Sequence, residues 1–140
     1  MKYSFKVTDD LSLVTGGACI LGIHGDFCSG EEIAKTRGAM LALFGEPPFT
    51  SNEYEDAYEY MIIATNTNGN SCLLSVYQDH IGSCREEDDT NIIKEASVEL
   101  ANLICQTKPA DFEAITYDGD TNTNITYGCK NGIPYYDWDI

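Results

Sequence analysis

Cys19, His24 and Cys28 place three soft-metal ligands within ten residues of chain. Zinc takes four ligands, and structural sites usually present thiolates as closely spaced Cys-x2–4-Cys pairs. Here the spacing is Cys-x4-His-x3-Cys, and a fourth ligand would have to come from His80 or Cys84. The pattern reads more simply as thiols and an imidazole around a Gly-rich turn, and no metal is expected. Asp118-Gly-Asp-Thr-Asn122 opens as a calcium loop does, with Ile125 where that loop's apolar residue belongs. The likeness then fails: Thr123 stands in place of the glycine of the sharp turn, and Cys129 in place of the closing bidentate glutamate. An ordinary polar hairpin loop is expected there. A histidine can activate a cysteine nucleophile, but two histidines and six cysteines (19, 28, 72, 84, 105 and 129) single out no pair. The G-x-S-x-G, H-E-x-x-H and P-loop signatures are missing, and Gly16, Gly17, Gly22 and Gly25 lack dinucleotide-loop spacing. The chain is expected to be no enzyme and to carry no cofactor.

What the sequence supplies in quantity is carboxylate. There are 23 Asp and Glu against 8 Lys and Arg, a formal net charge of −15. The magnitude usual for a small domain is about 2–8. Such a surface repels nucleic acid and anionic membranes, and the eight bases form no phosphate-neutralising stripe. It attracts basic proteins and speeds encounter with them. The acids gather in three groups. The first is Glu53, Glu55, Asp56 and Glu59; the second is Asp79 with Glu86, Glu87, Asp88 and Asp89. The third is Asp118 and Asp120 with the C-terminal Tyr135, Tyr136, Asp137, Trp138 and Asp139. Acids mixed with aromatics suit a contact patch facing a basic partner. The first and third groups are therefore the candidate partner-binding residues, Asp139 excepted. The second reads as solvated and helix-capping charge.

The elements that must position these groups are legible from periodicity and turn chemistry. The chain is expected to be one domain spanning residues 1–140, with 43% apolar residues and no apolar run near the roughly 18–20 needed for a membrane span. The N-terminal MKYSFKVTDD alternates and then meets Asp9-Asp10, unlike a secretion signal, so a cytoplasmic location and reduced thiols are expected. Cys72 and Cys105 lie in apolar patterns and read as core residues. Tyr3 to Thr8 predicts a strand, and Leu11 to Ile23 a short strand followed by a loop. Ser29 to Phe44 predicts a helix with a Ser29/Glu32 capping box, Arg37 toward solvent and a Gly45 stop. Glu46 to Asn52 reads as an extended connector, Asp79 to Asp89 as an acidic surface loop, and Asn91 to Gln106 as a second helix capped by Asp88, Asp89 or Thr90. Phe112 to Asp118, Asn124 to Cys129 and Ile133 to Trp138 read as strands, with Asn131-Gly132 as a turn and Pro134 marking an edge or bulge.

Tyr54 to Gln78 organises the rest. Asn68-Gly69 lies between two β-prone apolar runs, the strongest short-range hairpin signal. A two-residue turn there pairs Thr65 with Cys72, Ile63 with Leu74 and Met61 with Val76 on an apolar core face. The opposite face (Ala64 with Leu73, Ile62 with Ser75, Tyr60 with Tyr77) is then mixed, and is either half covered or open to a partner. The order strand, helix, hairpin, helix, strands predicts an α+β fold: a mostly antiparallel sheet with two helices packed on one face.

The run Tyr58–Ile63, then Asn68-Gly69, then Leu74-Ser75-Val76-Tyr77, a helix, and Ile125-Thr126-Tyr127-Gly128-Cys129-Lys130-Asn131-Gly132 resembles the immunity proteins encoded beside bacterial polymorphic and contact-dependent toxins. The resemblance covers about residues 44–136. It implies a cytoplasmic domain that binds a cognate toxin domain and blocks it, and it assigns no residue by position. The acidic charge agrees, because many such toxins are basic nucleases. The expected function is neutralisation of a basic toxin, with nucleases among the candidates, by occlusion of its active site. The rivals are an acidic nucleic-acid mimic of the anti-restriction type, and a small enzyme or ligand-binding domain with a pocket between helices and sheet.

Overall fold

The computed structural model describes residues 1–15, 19–20, 30–49, 60–77, 80–118 and 122–139. In chain order these form β1 (Tyr3–Thr8), a 3₁₀ turn (Leu11–Leu13), β2 (Cys19–Ile20), α1 (Gly30–Phe44), β3 (Tyr60–Asn66), β4 (Ser71–Tyr77), β5 (His80–Ser83), α2 (Thr90–Gln106), β6 (Phe112–Asp118), β7 (Thr123–Lys130) and β8 (Ile133–Asp139). The fold is α+β, with two helices packed against antiparallel β-structure. The strands divide into two sheets, a division the sequence reading did not draw. One has the order β1-β3-β4-β5-β2 and the other β6-β7-β8. Every strand pairing within each sheet is antiparallel. The Ser29 capping position, His24, Cys28 and the acidic entry Glu53 to Glu59 lie outside the described residues.

The second helix forms as its sequence predicts. Asp89 caps it, its Oδ1 accepting the N–H groups of Asn91 at 2.8 Å and Ile92 at 3.2 Å. Ile93, Ala96, Leu100, Ala101 and Ile104 make one buried stripe against the five-stranded sheet. Burying a leucine such as Leu100 contributes roughly 1.5–3 kcal/mol. The first helix differs, because it is apolar on two sides. Ala39, Met40, Leu43 and Phe44 pack into the core of the five-stranded sheet. Ile33 and Ala34 pack against Tyr127, Cys129 and Phe112 of the three-stranded sheet. Arg37 is half-buried as a result, not solvent-facing. Gly45 ends α1 at φ 78°, its N–H bonded to the Leu41 carbonyl at 3.0 Å.

The central hairpin corrects the expected register. Asn68-Gly69 is not a two-residue turn. The loop is Thr67–Asn68–Gly69, closed by the Asn66 N–H on the Asn70 carbonyl at 2.8 Å, with Gly69 at φ 85°. The Asn66 side chain decides this, because its Oδ1 accepts the N–H groups of Asn68 at 3.0 Å and Asn70 at 2.9 Å. Ala64 therefore pairs with Cys72, Ile62 with Leu74 and Tyr60 with Val76. A one-residue slip moves every side chain to the other face. Tyr60, Ile62 and Ala64 join Cys72, Leu74 and Val76 under the helices. Met61 and Leu73 point to the opposite face and are equally buried there, with Phe49, Cys84, Leu13, Val14 and Ile63. That second face is closed, not open to a partner. At Asn131-Gly132 the expected two-residue turn does form: φ is 55° and 80°, and Lys130 pairs with Ile133.

Two further expectations change. His80 to Ser83 is a strand within the predicted acidic loop, and Ile81 is buried in the core. Cys105 lies on the exposed side of α2, whereas Cys72 is fully buried. Pro134 sits as expected on an edge strand, since β8 flanks only β7.

The joint between the two halves is at Gly38, in the middle of α1. A Cβ there would lie 2.6 Å from Pro109 Cβ, 3.0 Å from Cys129 Sγ and 3.1 Å from the Ala110 carbonyl oxygen. The Ala110 N–H donates to the Gly38 carbonyl at 2.9 Å, and the Cys129 thiol donates to the Ala34 carbonyl at 3.2 Å. Gly38→Val is expected to lower stability by about 1–3 kcal/mol through overpacking, measured by urea unfolding. In an open helix the same change would be near neutral or favourable, and that result would show that the contact can yield.

Candidate functional site

The β6-β7-β8 sheet has a covered face and an uncovered one. Residues alternate between faces along each strand, and partners across strands share a face. Toward α1 the register stacks Phe112 with Cys129 and Pro134, then Ala114 with Tyr127 and Tyr136. The rings meet there: Phe112 and Tyr127 edge to face with centroids 5.7 Å apart, and Tyr127 and Tyr136 tilted at 6.2 Å. On the other face the rows are Lys130 with Ile133, Glu113 with Gly128 and Tyr135, and Ile115 with Thr126 and Asp137. By register, positions 117, 124 and 139 form the next row. Ile115 and Ile133 are each 69% exposed.

Gly128 is needed at the centre of this face. The ring of Tyr135 crosses over it to reach the far strand, where its hydroxyl donates to Glu113 Oε2 at 2.6 Å. A Cβ on residue 128 would meet the Tyr135 oxygen at 2.7 Å and collide with the Phe112 carbonyl oxygen. The hydrogen bond to the Glu113 carboxylate, with a smaller contribution from burial, pushes the Tyr135 hydroxyl up to about 12. Asp111 Oδ1 accepts the Asn131 N–H at 2.9 Å and ties the β7–β8 turn to the start of β6.

The candidate partner-binding residues therefore separate. Tyr135 and Asp137 stand on the uncovered face. Tyr136 is half-buried among the rings beneath α1. Trp138 pairs with Ile125, and Asp118 pairs with Thr123 at the end of the β6–β7 hairpin. Glu53, Glu55, Asp56, Glu59 and Asp120 lie outside the described residues. The sequence reading missed Glu113 and Ile115. Part of their signal was present: Phe112-Glu113-Ala114-Ile115 alternates, and the Asn131-Gly132 turn sets Gly128 opposite Tyr135, but the register that adds Glu113 to that row depends on the β6–β7 loop.

The second acidic group is mostly structural. Asp88, with a side chain only 4% exposed, accepts the Leu73 N–H at 2.7 Å and the Arg85 Nε–H at 2.8 Å. Glu87 accepts the Thr15 hydroxyl at 2.7 Å, which holds its carboxyl below the usual range. A further acidic cluster joins β1 to α2. Glu95 accepts the Tyr3 hydroxyl at 3.0 Å and the Lys2 ammonium at 3.2 Å, and Glu99 accepts the Tyr3 N–H at 2.9 Å. A shallow open groove runs beside this joint, lined by Lys2, Tyr3, Lys94, Glu95, Val98 and Asn102.

The buried thiols Cys72, Cys84 and Cys129 are not activated. Burial, reinforced by the Asp88 carboxylate, pushes Cys72 up to about 12 and Cys84 up to about 11. Burial also raises Cys129. At neutral pH these groups are protonated, the wrong state for a nucleophile or a metal ligand. Among the described residues no three His, Cys, Asp or Glu side chains are gathered to hold a metal ion, and no helix is long and apolar enough to cross a membrane. No protein-family model matches the chain, and it gives no match to the curated proteins or to the solved structures.

Two outcomes follow from this geometry. The Tyr135 phenol should ionise near pH 12, against its ordinary 10.0, and Tyr135→Phe should remove one group from the late phase of the phenolate absorbance titration. Because its folded value is raised, its stabilisation is present below about pH 10 and is lost as the pH rises toward 12. Asp88→Ala should cost about 1–3 kcal/mol in urea unfolding by stranding the Leu73 N–H and the Arg85 guanidinium. Glu86→Ala beside it should stay within about 0.5 kcal/mol.

Proposed function

We propose that this chain is an inhibitory binding protein of the immunity type, acting in the cytoplasm on the basic catalytic domain of a cognate toxin. The observation that carries this reading is the uncovered face of the three-stranded sheet, where carboxylates are interleaved with a tyrosine and two aliphatic side chains in a chain of net charge −15. Carboxylates steer a basic surface into place, and the apolar and aromatic groups between them supply the contact area that slows its departure. A protein so docked blocks an active site by occupying the ground in front of it, with no chemistry of its own.

The interleaving also favours a protein partner over mimicry of nucleic acid. A phosphate mimic needs carboxylates in an unbroken row. Here Glu113 is followed on its strand face by Ile115, and Asp137 is preceded by Tyr135 and Ile133.

The test is to co-express this chain with the C-terminal domain of the large protein encoded beside it. A stable complex that co-purifies, with growth restored to cells poisoned by that domain alone, is the expected result. A toxic neighbour that this chain neither binds nor neutralises, or the lack of any toxic neighbour, overturns the reading.

A further inference from the structure

We infer that the outer face of the β6-β7-β8 sheet is a trough that receives one basic segment of the partner, lying along β7 between two acidic walls. This rests on the binding reading above and adds where the partner sits, in which direction, and through what chemistry.

The trough comes from the register. Its floor is the stretch of β7 ahead of Lys130, whose outward residues Asn124, Thr126 and Gly128 carry no charge. One wall is β6, carrying Glu113 and Ile115; the other is β8, carrying Tyr135 and Asp137. Two inter-strand spacings put the walls about 10 Å apart. That width admits one extended chain or one helix face, with long basic side chains reaching the carboxylates on either side. The walls also hold Ile115, 69% exposed, against which the stem of a lysine or arginine can pack.

The trough is closed at one end. Tyr135 bridges it over Gly128 and is clamped to Glu113 at 2.6 Å. Lys130 stands in the row beyond, and the Lys108 side chain lies beside Gly132, where an added Cβ would come within 3.2 Å of its Cε. Behind the clamp two lysines outnumber Asp111, whose carboxylate holds the Asn131 N–H, and in front of it stands Asp137. The basic segment enters from the Asn124 end and meets the face of Tyr135 as a stop. Arginine suits that position, since its guanidinium stacks on an aromatic ring and pairs with a carboxylate at once. The Tyr135 ring is already fixed by its hydrogen bond, so little side-chain freedom is lost on contact.

The experiment uses the full chain and the same neighbouring toxin domain, with affinity and association rate measured at two salt concentrations. Asp137→Lys paired with Ile115→Ser changes the charge by two and removes one contact from each wall. It should weaken binding about 10–100-fold and slow association. Glu86→Lys makes the same change of charge on the loop before α2 and should alter affinity about twofold or less. Thr126→Arg leaves every carboxylate in place but puts a cation on the floor of the trough, and should weaken binding about tenfold or more. Each variant is checked against wild type by thermal unfolding, which these exposed or half-exposed positions should barely move. If wild type binds and the two trough variants bind equally well, the trough is not the docking site although the binding reading stands. If Glu86→Lys is the damaging change, steering acts elsewhere and the inference also falls. If wild type itself fails to bind, the functional reading falls with it.

Discussion

The structure depends on how closely α1 can approach the start of β6 and the middle of β7. A helix apolar on one side needs one partner; α1 is apolar on two and needs two. Residues such as Met40 and Phe44 hold it to the five-stranded sheet, and Ile33 and Ala34 hold it to the three-stranded one. Glycine at position 38 permits the second contact, since Pro109, Ala110 and Cys129 occupy the space a side chain would take. A glycine inside a helix costs about 1 kcal/mol against alanine. Here that cost is offset by the packing of the three-stranded sheet, which among the described residues rests mainly on α1.

From that packing follows the separation of faces. Because α1 covers the side bearing Phe112, Ala114, Tyr127 and Tyr136, the pleat turns Glu113, Ile115, Tyr135 and Asp137 outward. Two adjacent tyrosines thus have opposite duties: Tyr136 belongs to the core and Tyr135 to the surface. The five-stranded sheet contrasts with this. Its hairpin is buried on both sides, by the helices on one and by Phe49, Leu13 and Val14 on the other, so it has no comparable open face among the described residues.

The acids divide in the same way. Asp88 and Asp89 satisfy backbone N–H groups, Glu87 holds Thr15, and Glu95 and Glu99 fasten β1 to α2. These carboxylates give their lone pairs to the fold. Glu113 gives one oxygen to Tyr135 and keeps acceptor capacity, and Asp137 stands exposed. A surplus of negative charge is therefore a poor guide to where a partner binds until the acids already engaged are set aside. What remains on the outer sheet face is both acidic and partly apolar, the combination that can steer and then hold.

Local chemistry determined the elements. Alternation marked β1 and β6, the Asp89 cap and apolar spacing marked α2, Gly45 ended α1, and Asn131-Gly132 turned the chain in two residues, because each of these rests on groups only a few positions apart. The α+β class follows from their order and was legible too. Burial was decided only by the tertiary structure, and the hairpin register by a local competition that the Asn-Gly signal does not reveal. The side chain of Asn66 competes for the N–H groups of Asn68 and Asn70, lengthens the first Asn-Gly loop by one residue and inverts both faces of β3. A carboxylate such as Asp88 looks like solvated charge until Leu73 and Arg85 are brought to it from elsewhere in the chain. Glu113 and Tyr135, twenty-two positions apart, become neighbours only because Gly128 lets a ring cross the strand between them. No window of sequence holds all three residues, so their meeting belongs to the fold.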